Sequence, residues 1–238
     1  MFKPALAAIV LLLFALPSSA DQDTYVRTRE QRDAMTPQQV VQSLKAGNQR
    51  FLEGKAGRRN FLAEQRATAS GQHPSAVVLS CIDSRAPAEI LFDKGIGEIF
   101  NARIAGNVAN PDLVGSMEFA CAVAGAKVVL VLGHTGCGAV NGAIDHVELG
   151  NLTGLLERIY PAVQAASARL SGPYSSDNSD FVRAVTRQNV ELTIAKIRRI
   201  SPLLREMEEK GTIAIQGAIY NLDTGRIEFL EDTTTTGG

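Results

Sequence analysis

Lys127-Val128-Val129-Leu130-Val131-Leu132-Gly133-His134-Thr135-Gly136-Cys137-Gly138 is the stretch that decides the fold. Six consecutive positions from Val128 to Gly133 carry no polar side chain, so there is no alternation between a wet and a dry face. A run of this length, without a break, reads as a strand covered on both sides, the signature of a parallel sheet between helix layers. The glycines and Thr135 then turn the chain, and a helix is expected after Gly136. Upstream, Ala76-Val77-Val78-Leu79-Ser80-Cys81 is a second short apolar strand, and Pro87 opens a brief helix after it. Glu98 to Arg103 reads as another strand. Asn110-Pro111 starts a helix whose apolar stripe is Leu113, Met117, Ala120, Cys121 and Ala124.

Downstream, two longer helical stretches are expected around Leu152–Leu170 and Phe181–Ile200. The Ser-, Gly-, Pro-, Asp- and Asn-rich segment from Ser171 to Asp180 makes a loop between them. Ser201-Pro202 begins a further helix. Thr212 to Tyr220 is a strand that Asp223-Thr224-Gly225 turns back into Arg226–Glu231, so the last strand runs antiparallel. On the amino-terminal side, Thr36-Pro37-Gln38-Gln39 is a helix start with a capping box, and Val40, Leu44 and Phe51 line one helical face. The fold class is α/β: a mainly parallel central sheet with an antiparallel C-terminal edge strand, helices on both faces and an N-terminal helical arm.

The chain has 238 residues, and its two ends read differently from the middle. Lys3 precedes an unbroken apolar run from Ala5 to Leu16, Pro17 ends it, and Ser18 and Ala20 occupy the small-residue positions of a cleavage site. That is the anatomy of a secretory signal peptide over residues 1–20, and the run is too short to span a bilayer. Cleavage near Ala20 places the protein in the periplasm or outside the cell, with no membrane attachment afterwards. Residues 21–35 read as a flexible N-terminal arm, 36–231 as one domain and 232–238, Asp232 followed by threonines and glycines, as a disordered tail.

Hydrophobic residues make up 45% of the chain, enough for a core, and the formal net charge is −1. Near-neutrality gives no electrostatic basis for binding nucleic acid or an anionic membrane, which points to a small-molecule partner. Three cysteines, an odd number with no close pair, do not make a disulfide framework. Thiols unpaired in an oxidising compartment are explained by metal ligation or burial.

Two short motifs stand at strand ends. Cys81-Ile82-Asp83-Ser84-Arg85 leaves the first strand, and His134-Thr135-Gly136-Cys137 leaves the strand that begins at Lys127. Ligands of open α/β sheets bind beyond the carboxyl ends of strands. If the two strands are neighbours, Cys81, His134 and Cys137 converge. Two thiolates and an imidazole suit Zn²⁺, and three protein ligands leave a fourth position for water.

The segments Cys81–Arg85 and Gly133-His134-Thr135-Gly136-Cys137-Gly138-Ala139-Val140 closely resemble the two signatures of the β-class carbonic anhydrases. Leu44–Phe51, Arg103-Ile104-Ala105-Gly106-Asn107-Val108, Ser116–Ala120 and Gly217–Gly225 extend the resemblance over about residues 36–231. The resemblance implies reversible hydration of CO₂ to bicarbonate and a proton by attack of zinc-bound hydroxide. It implies Cys81, His134 and Cys137 as zinc ligands and Asp83 and Arg85 as the catalytic dyad. Further implications are a backbone N–H of Gly138 that helps bind bicarbonate, and a homodimer or homotetramer. Asp83 is also close enough in sequence to become a fourth zinc ligand in a closed state, and a pH-dependent switch favouring that state at lower pH is expected. Some bacterial members carry a second bicarbonate site that uses a Trp; this chain has none, so that form of regulation is not expected.

Cys121, on an apolar stripe, is expected to be a buried free thiol. His73 before a proline reads as solvated, and His146 as a surface histidine rather than a proton shuttle. A zinc hydrolase of CS₂ or COS would share the same centre and would need a restricted apolar tunnel. A non-catalytic zinc module would have no use for Asp83 and Arg85, and a thiol oxidoreductase would want a close cysteine pair.

Overall fold

The computed structural model describes residues 26–231. The expected signal peptide over 1–20 and the tail over 232–238 lie outside the described residues. The chain runs α1 (Arg29–Asp33), α2 (Pro37–Leu52), α3 (Phe61–Thr68), β1 (Ala76–Ser80), α4 (Ala88–Leu91), β2 (Ile99–Arg103) and α5 (Pro111–Glu118). It continues through β3 (Val128–His134), α6 (Gly138–Ile144), α7 (Gly150–Leu156), α8 (Tyr160–Ser167), α9 (Ser179–Ile200), α10 (Pro202–Glu209), β4 (Ala214–Tyr220) and β5 (Ile227–Phe229). A 3₁₀ turn, Ala105–Asn107, follows β2, and a π-helical turn, Phe119–Val123, prolongs α5.

The five strands form one sheet in the order β2-β1-β3-β4-β5. Every pairing is parallel except β4 with β5. All seven residues of β3 are buried, as its uninterrupted apolar run demands. Alternate β3 side chains feed two cores. Val129 and Val131 pack with α5, α9 and α10 residues such as Met117, Ile197 and Leu204. Val128, Leu130 and Leu132 pack with α2 and α4 residues such as Val40, Leu44 and Leu91. Each fully buried Val or Leu contributes roughly 1.5–3 kcal/mol relative to exposure, so the sheet is secured from both faces.

Local signals set the helix starts. Thr36 accepts from the Gln39 backbone N–H while the Gln39 side chain accepts from Thr36, and Asn110 and Ser201 cap α5 and α10 in the same spirit. Helix α2 approaches α4 so closely that a Cβ on Gly47 would stand 1.9 Å from the Phe92 carbonyl oxygen. Only glycine fits that crossing.

Three expectations need correction. The stretch Leu152–Leu170 is not one helix but two, α7 and α8, because Pro161 supplies no N–H to continue the first and instead sits in the first turn of the second. Within the expected flexible arm, Arg29–Asp33 is helical with a Thr28 capping box, and Arg27 and Arg32 are buried. Arg27 pairs with Glu98 at 3.2 Å and Arg32 donates to the Ala124 carbonyl, which fixes the segment to the body. Helix α3 was not expected at all: Phe61 and Leu62 are exposed while Glu64 is buried, the reverse of a readable apolar face.

Candidate metal centre

Strands β1 and β3 are neighbours, in register with Ser80 opposite Leu132. Cys81 therefore leaves the sheet beside His134, the last residue of β3, and the tight turn through Thr135 and Gly136 brings Cys137 back as the N-cap of α6. The two sulfurs stand 4.0 Å apart. The ligand atoms of Cys81, His134 and Cys137 all lie within 4.8 Å of one another, and all three residues are buried. Two sulfurs on a tetrahedral zinc with Zn–S of about 2.3 Å would be about 3.8 Å apart, so the pair already has the span that the ion requires.

The imidazole is prepared for a metal. His134 Nδ1 lies 2.8 Å from the Thr135 carbonyl oxygen, which can only accept, so Nδ1 carries the hydrogen and Nε2 keeps its lone pair. Nε2 is buried and, among the described residues, has no hydrogen-bond partner. A buried acceptor without a donor is costly unless a cation takes it. The thiols fit as well. The hydrogen bond the two thiols share holds Cys81 well below its ordinary range and, together with burial, pushes Cys137 upward. The backbone N–H of Gly106 also points at Cys81 Sγ, at 3.4 Å. Gly106 holds φ +68°, and a Cβ there would lie 2.5 Å from Ile159 Cδ1, so a side chain would spoil the turn that delivers this donor.

Asp83 and Arg85 stand beside the trio. Asp83 Oδ1 accepts from the Arg85 backbone N–H and from Nε, both at 2.9 Å, and Oδ2 accepts from Nη2 at 2.6 Å. These bonds hold the Asp83 carboxyl far below the usual carboxylate range, against the smaller opposing effect of burial. Oδ2 is 3.8 Å from His134 Nε2, so the carboxylate faces the point where a metal and its open position would sit. The centre is otherwise framed by residues whose parts in it the sequence did not reveal. Arg103, at the end of β2, donates from Nε to the Cys81 carbonyl at 2.9 Å and from Nη2 to the Asp83 carbonyl. Asn189 of α9, buried in mid-helix, donates to the Gly106 carbonyl at 2.7 Å. Thr135 Oγ1 accepts from the Leu222 N–H at 3.0 Å, fixing the ligand turn to the end of β4.

Gly138 is exposed at the start of α6, next to Cys137, and a Cβ built there would meet nothing within 4 Å. A cleft of about 600 Å³ begins at Arg85, Thr135, Gly136 and Asn141 and runs to Thr186 and Arg187 of α9; none of the three ligand residues lines it. Cys121 is buried as expected, and burial pushes its thiol up to about 12. His146 is exposed, lies outside the trio and meets the Tyr160 ring at a tilt, with centroids 5.1 Å apart. His73 is half-buried and takes no part in it.

The carbonic anhydrase family model matches residues 76–227, which takes in both ligand loops and every strand but the last two residues of β5. "Carbonic anhydrase 2" of Mycobacterium tuberculosis is 36% identical over 196 residues, covering 80% of this chain and 91% of that protein. A carbonic anhydrase of Pseudomonas aeruginosa is 31% identical over 172 residues, 70% of this chain and 77% of its own. Among solved structures, a β-carbonic anhydrase of the filamentous ascomycete Sordaria macrospora, one of two described as tetrameric, aligns with a TM-score of 0.64 at 25% identity. That alignment covers 70% of this chain and 85% of that one. The chain belongs to the β-class carbonic anhydrase family. It is an enzyme of CO₂ hydration whose Cys81, His134 and Cys137 form a site fitted to Zn²⁺.

Proposed function

We propose that Asp83 and Arg85 are the catalytic dyad of this carbonic anhydrase and that the Gly138 N–H helps to hold bicarbonate. The carrying observation is the carboxylate of Asp83, triply bonded to Arg85 with Oδ2 facing the ligand trio. Zn²⁺, when bound by Cys81, His134 and Cys137, supplies Lewis acidity that makes hydroxide available from water near neutral pH. Arg85 keeps Asp83 ionised and fixes its plane. Asp83 Oδ2 accepts the proton-bearing side of the attacking hydroxide, which leaves a lone pair directed at the carbon of CO₂. Water and CO₂ thereby give bicarbonate and a proton. Gly138 is exposed in the first turn of α6, beside the ligand Cys137, which suits its N–H to a bicarbonate oxygen. Hydration rates of zinc-loaded wild type and Asp83→Asn test the assignment; equal rates refute it.

Asp83 as a fourth zinc ligand belongs to the same proposal as an alternative, closed state. In that state the carboxylate would give up hydrogen bonds that it now accepts from Arg85. Zinc-edge X-ray absorption across pH counts the ligands; an unchanged first shell from acid to alkaline pH sinks the switch.

Export with cleavage near Ala20, to the periplasm or beyond, rests on the Lys3, Ala5–Leu16 and Ala20 pattern. No helix among the described residues is long and apolar enough to cross a membrane. N-terminal sequencing of the protein from cell fractions decides it. Assembly as a homodimer or homotetramer is supported by exposed Ile82, Phe119 and Val123 near the unpaired edge of β2 and by the tetramers described for the Sordaria relatives. A monomer by light scattering at micromolar concentration refutes it.

A further inference from the structure

At the opposite end of the sheet from the metal centre, the turn Asp93–Glu98 sits in a buried ionic cluster. Arg27 and Arg59 both pair with Glu98, at 3.2 Å each. Arg59 also reaches Glu64 at 3.4 Å and Asp93 at 3.6 Å, and Arg50 pairs with Asp93. Backbone N–H groups of Gly57, Gly95 and Ile96 take further carboxylate oxygens of Asp93, Glu98 and Glu64. Three guanidinium groups and three carboxylates are thus matched with one another. Lys94 lies among them, 6% exposed, and is left over. Its Nζ makes one hydrogen bond, to Ser43 Oγ at 2.8 Å, and among the described residues no carboxylate lies within ion-pair distance of it.

A lysine here holds its proton less firmly than an exposed one. Burial depresses its pKa first; Glu98 works the other way, and Arg27, Arg50 and Arg59 add to the depression. A neutral amine leaves the cluster balanced, and a neutral amine is a nucleophile. The protein's own substrate is an electrophile small and apolar enough to reach a half-buried hydroxyl such as Ser43. We propose that Lys94 is a CO₂-binding site, carbamylated reversibly on Nζ. The nitrogen lone pair forms the N–C bond, one C=O π pair moves onto oxygen, and the nitrogen gives up a proton to water. The product is a carbamate anion and one proton, with no change of oxidation state. The Arg27, Arg50 and Arg59 charges that disfavour the ammonium favour this anion, Glu98 opposes it, and the Ser43 hydroxyl can turn to donate to it.

The site is remote from Cys81, His134 and Cys137, and its occupancy does not depend on turnover, because added bicarbonate equilibrates with CO₂ unaided. Zinc-loaded protein carrying nitrogen-15 lysine is placed in carbon-13 bicarbonate at about pH 8, where each unit of pKa depression raises the free amine about tenfold over an exposed lysine. The expected carbon spectrum has one carbamate resonance split by its bonded nitrogen. Trapping with a trialkyloxonium salt and peptide mass analysis should place more label on Lys94 than on exposed Lys55 or Lys210. The resonance should vanish in Lys94→Gln. A wild-type spectrum without the split resonance overturns the proposal, as does one in which the label falls equally on exposed lysines. Neither result touches the assignment of the metal centre, which hydration rates test separately.

Discussion

Replacing Asp83 by Asn separates chemistry from architecture at the metal centre. In the wild type, Arg85 sends three N–H groups to the two carboxylate oxygens at 2.6–2.9 Å. An amide can keep the two bonds at Oδ1 through its oxygen, but its NH₂ then meets Arg85 Nη2 donor to donor where the 2.6 Å bond had been. The Arg85 side chain is 59% exposed and can swing into water, so the clash is relieved cheaply. A change in Tm of no more than about 2 °C is expected for a chain of this size. Zinc content should not change, because the three ligand atoms that converge do not include Asp83. The rate should change greatly: Asn cannot accept a hydrogen bond with a full negative charge, and loss of such a positioned group typically costs ~10²–10⁴-fold. We expect kcat/KM for CO₂ hydration to fall about 10²–10³-fold, with stopped-flow indicator assays as the readout and zinc measured on the same samples. Wild-type rates at full zinc loading would refute the role of Asp83 in the chemistry. Loss of zinc in the variant would show instead that Asp83 holds the metal.

Three further outcomes follow from the same coordinates. Zinc affinity should fall as pH falls, because Cys137 holds a proton in the metal-free pair and the His134 pKa is raised, burial being outweighed by the nearby Cys81 sulfur and the Thr135 carbonyl. Competition with a chelator should show a loss of about tenfold or more per pH unit below neutrality, and a flat profile would contradict the ligand assignment. Alkylation should spare all three cysteines in the zinc-loaded protein, reach Cys81 once zinc is stripped, and leave Cys121 untouched until unfolding, since burial raises that thiol to about 12. Peptide mapping reads this directly, and early labelling of Cys121 would contradict its burial. Gly47→Ala should lower stability by about 1–3 kcal/mol despite the better helix propensity of Ala, because its Cβ would meet the Phe92 backbone rather than a side chain that could move. Thermal unfolding at fixed zinc and protein concentration measures it; an unchanged Tm would mean that α2 does not pack as described.

What was legible in the sequence was what is local or periodic. The run Val128–Gly133 announces a doubly covered strand. Thr36-Pro37, Asn110-Pro111 and Ser201-Pro202 announce helix starts, because caps act within one turn. Cys81, His134 and Cys137 were legible because residue type and position at a strand end are both visible in one dimension. The segment Arg29–Asp33 was not, since its hold on the body comes from Arg27 to Glu98, 71 positions away, and from Arg32 to a backbone carbonyl. Arg103 was visible as a motif letter but not as a clamp, because its acceptors at Cys81 and Asp83 are main-chain oxygens that every residue possesses. Helix α3 hid for the opposite reason: its buried side chain is Glu64, held by Arg59, and hydrophobic patterning is blind to it.

The neighbouring placement of β1 and β3 also orders events in the life of the chain. Cys81 and Cys137 are 56 positions apart, and only pairing of those two strands brings their sulfurs together. A polypeptide emerging from its synthesis has one thiol of the set until β3 is made, and then two ligands three positions apart that cannot hold the ion firmly alone. Loading with metal is therefore a late event, a proof of correct long-range pairing rather than its cause. If the chain is threaded through a membrane before it folds, it travels empty and takes its zinc from the far side.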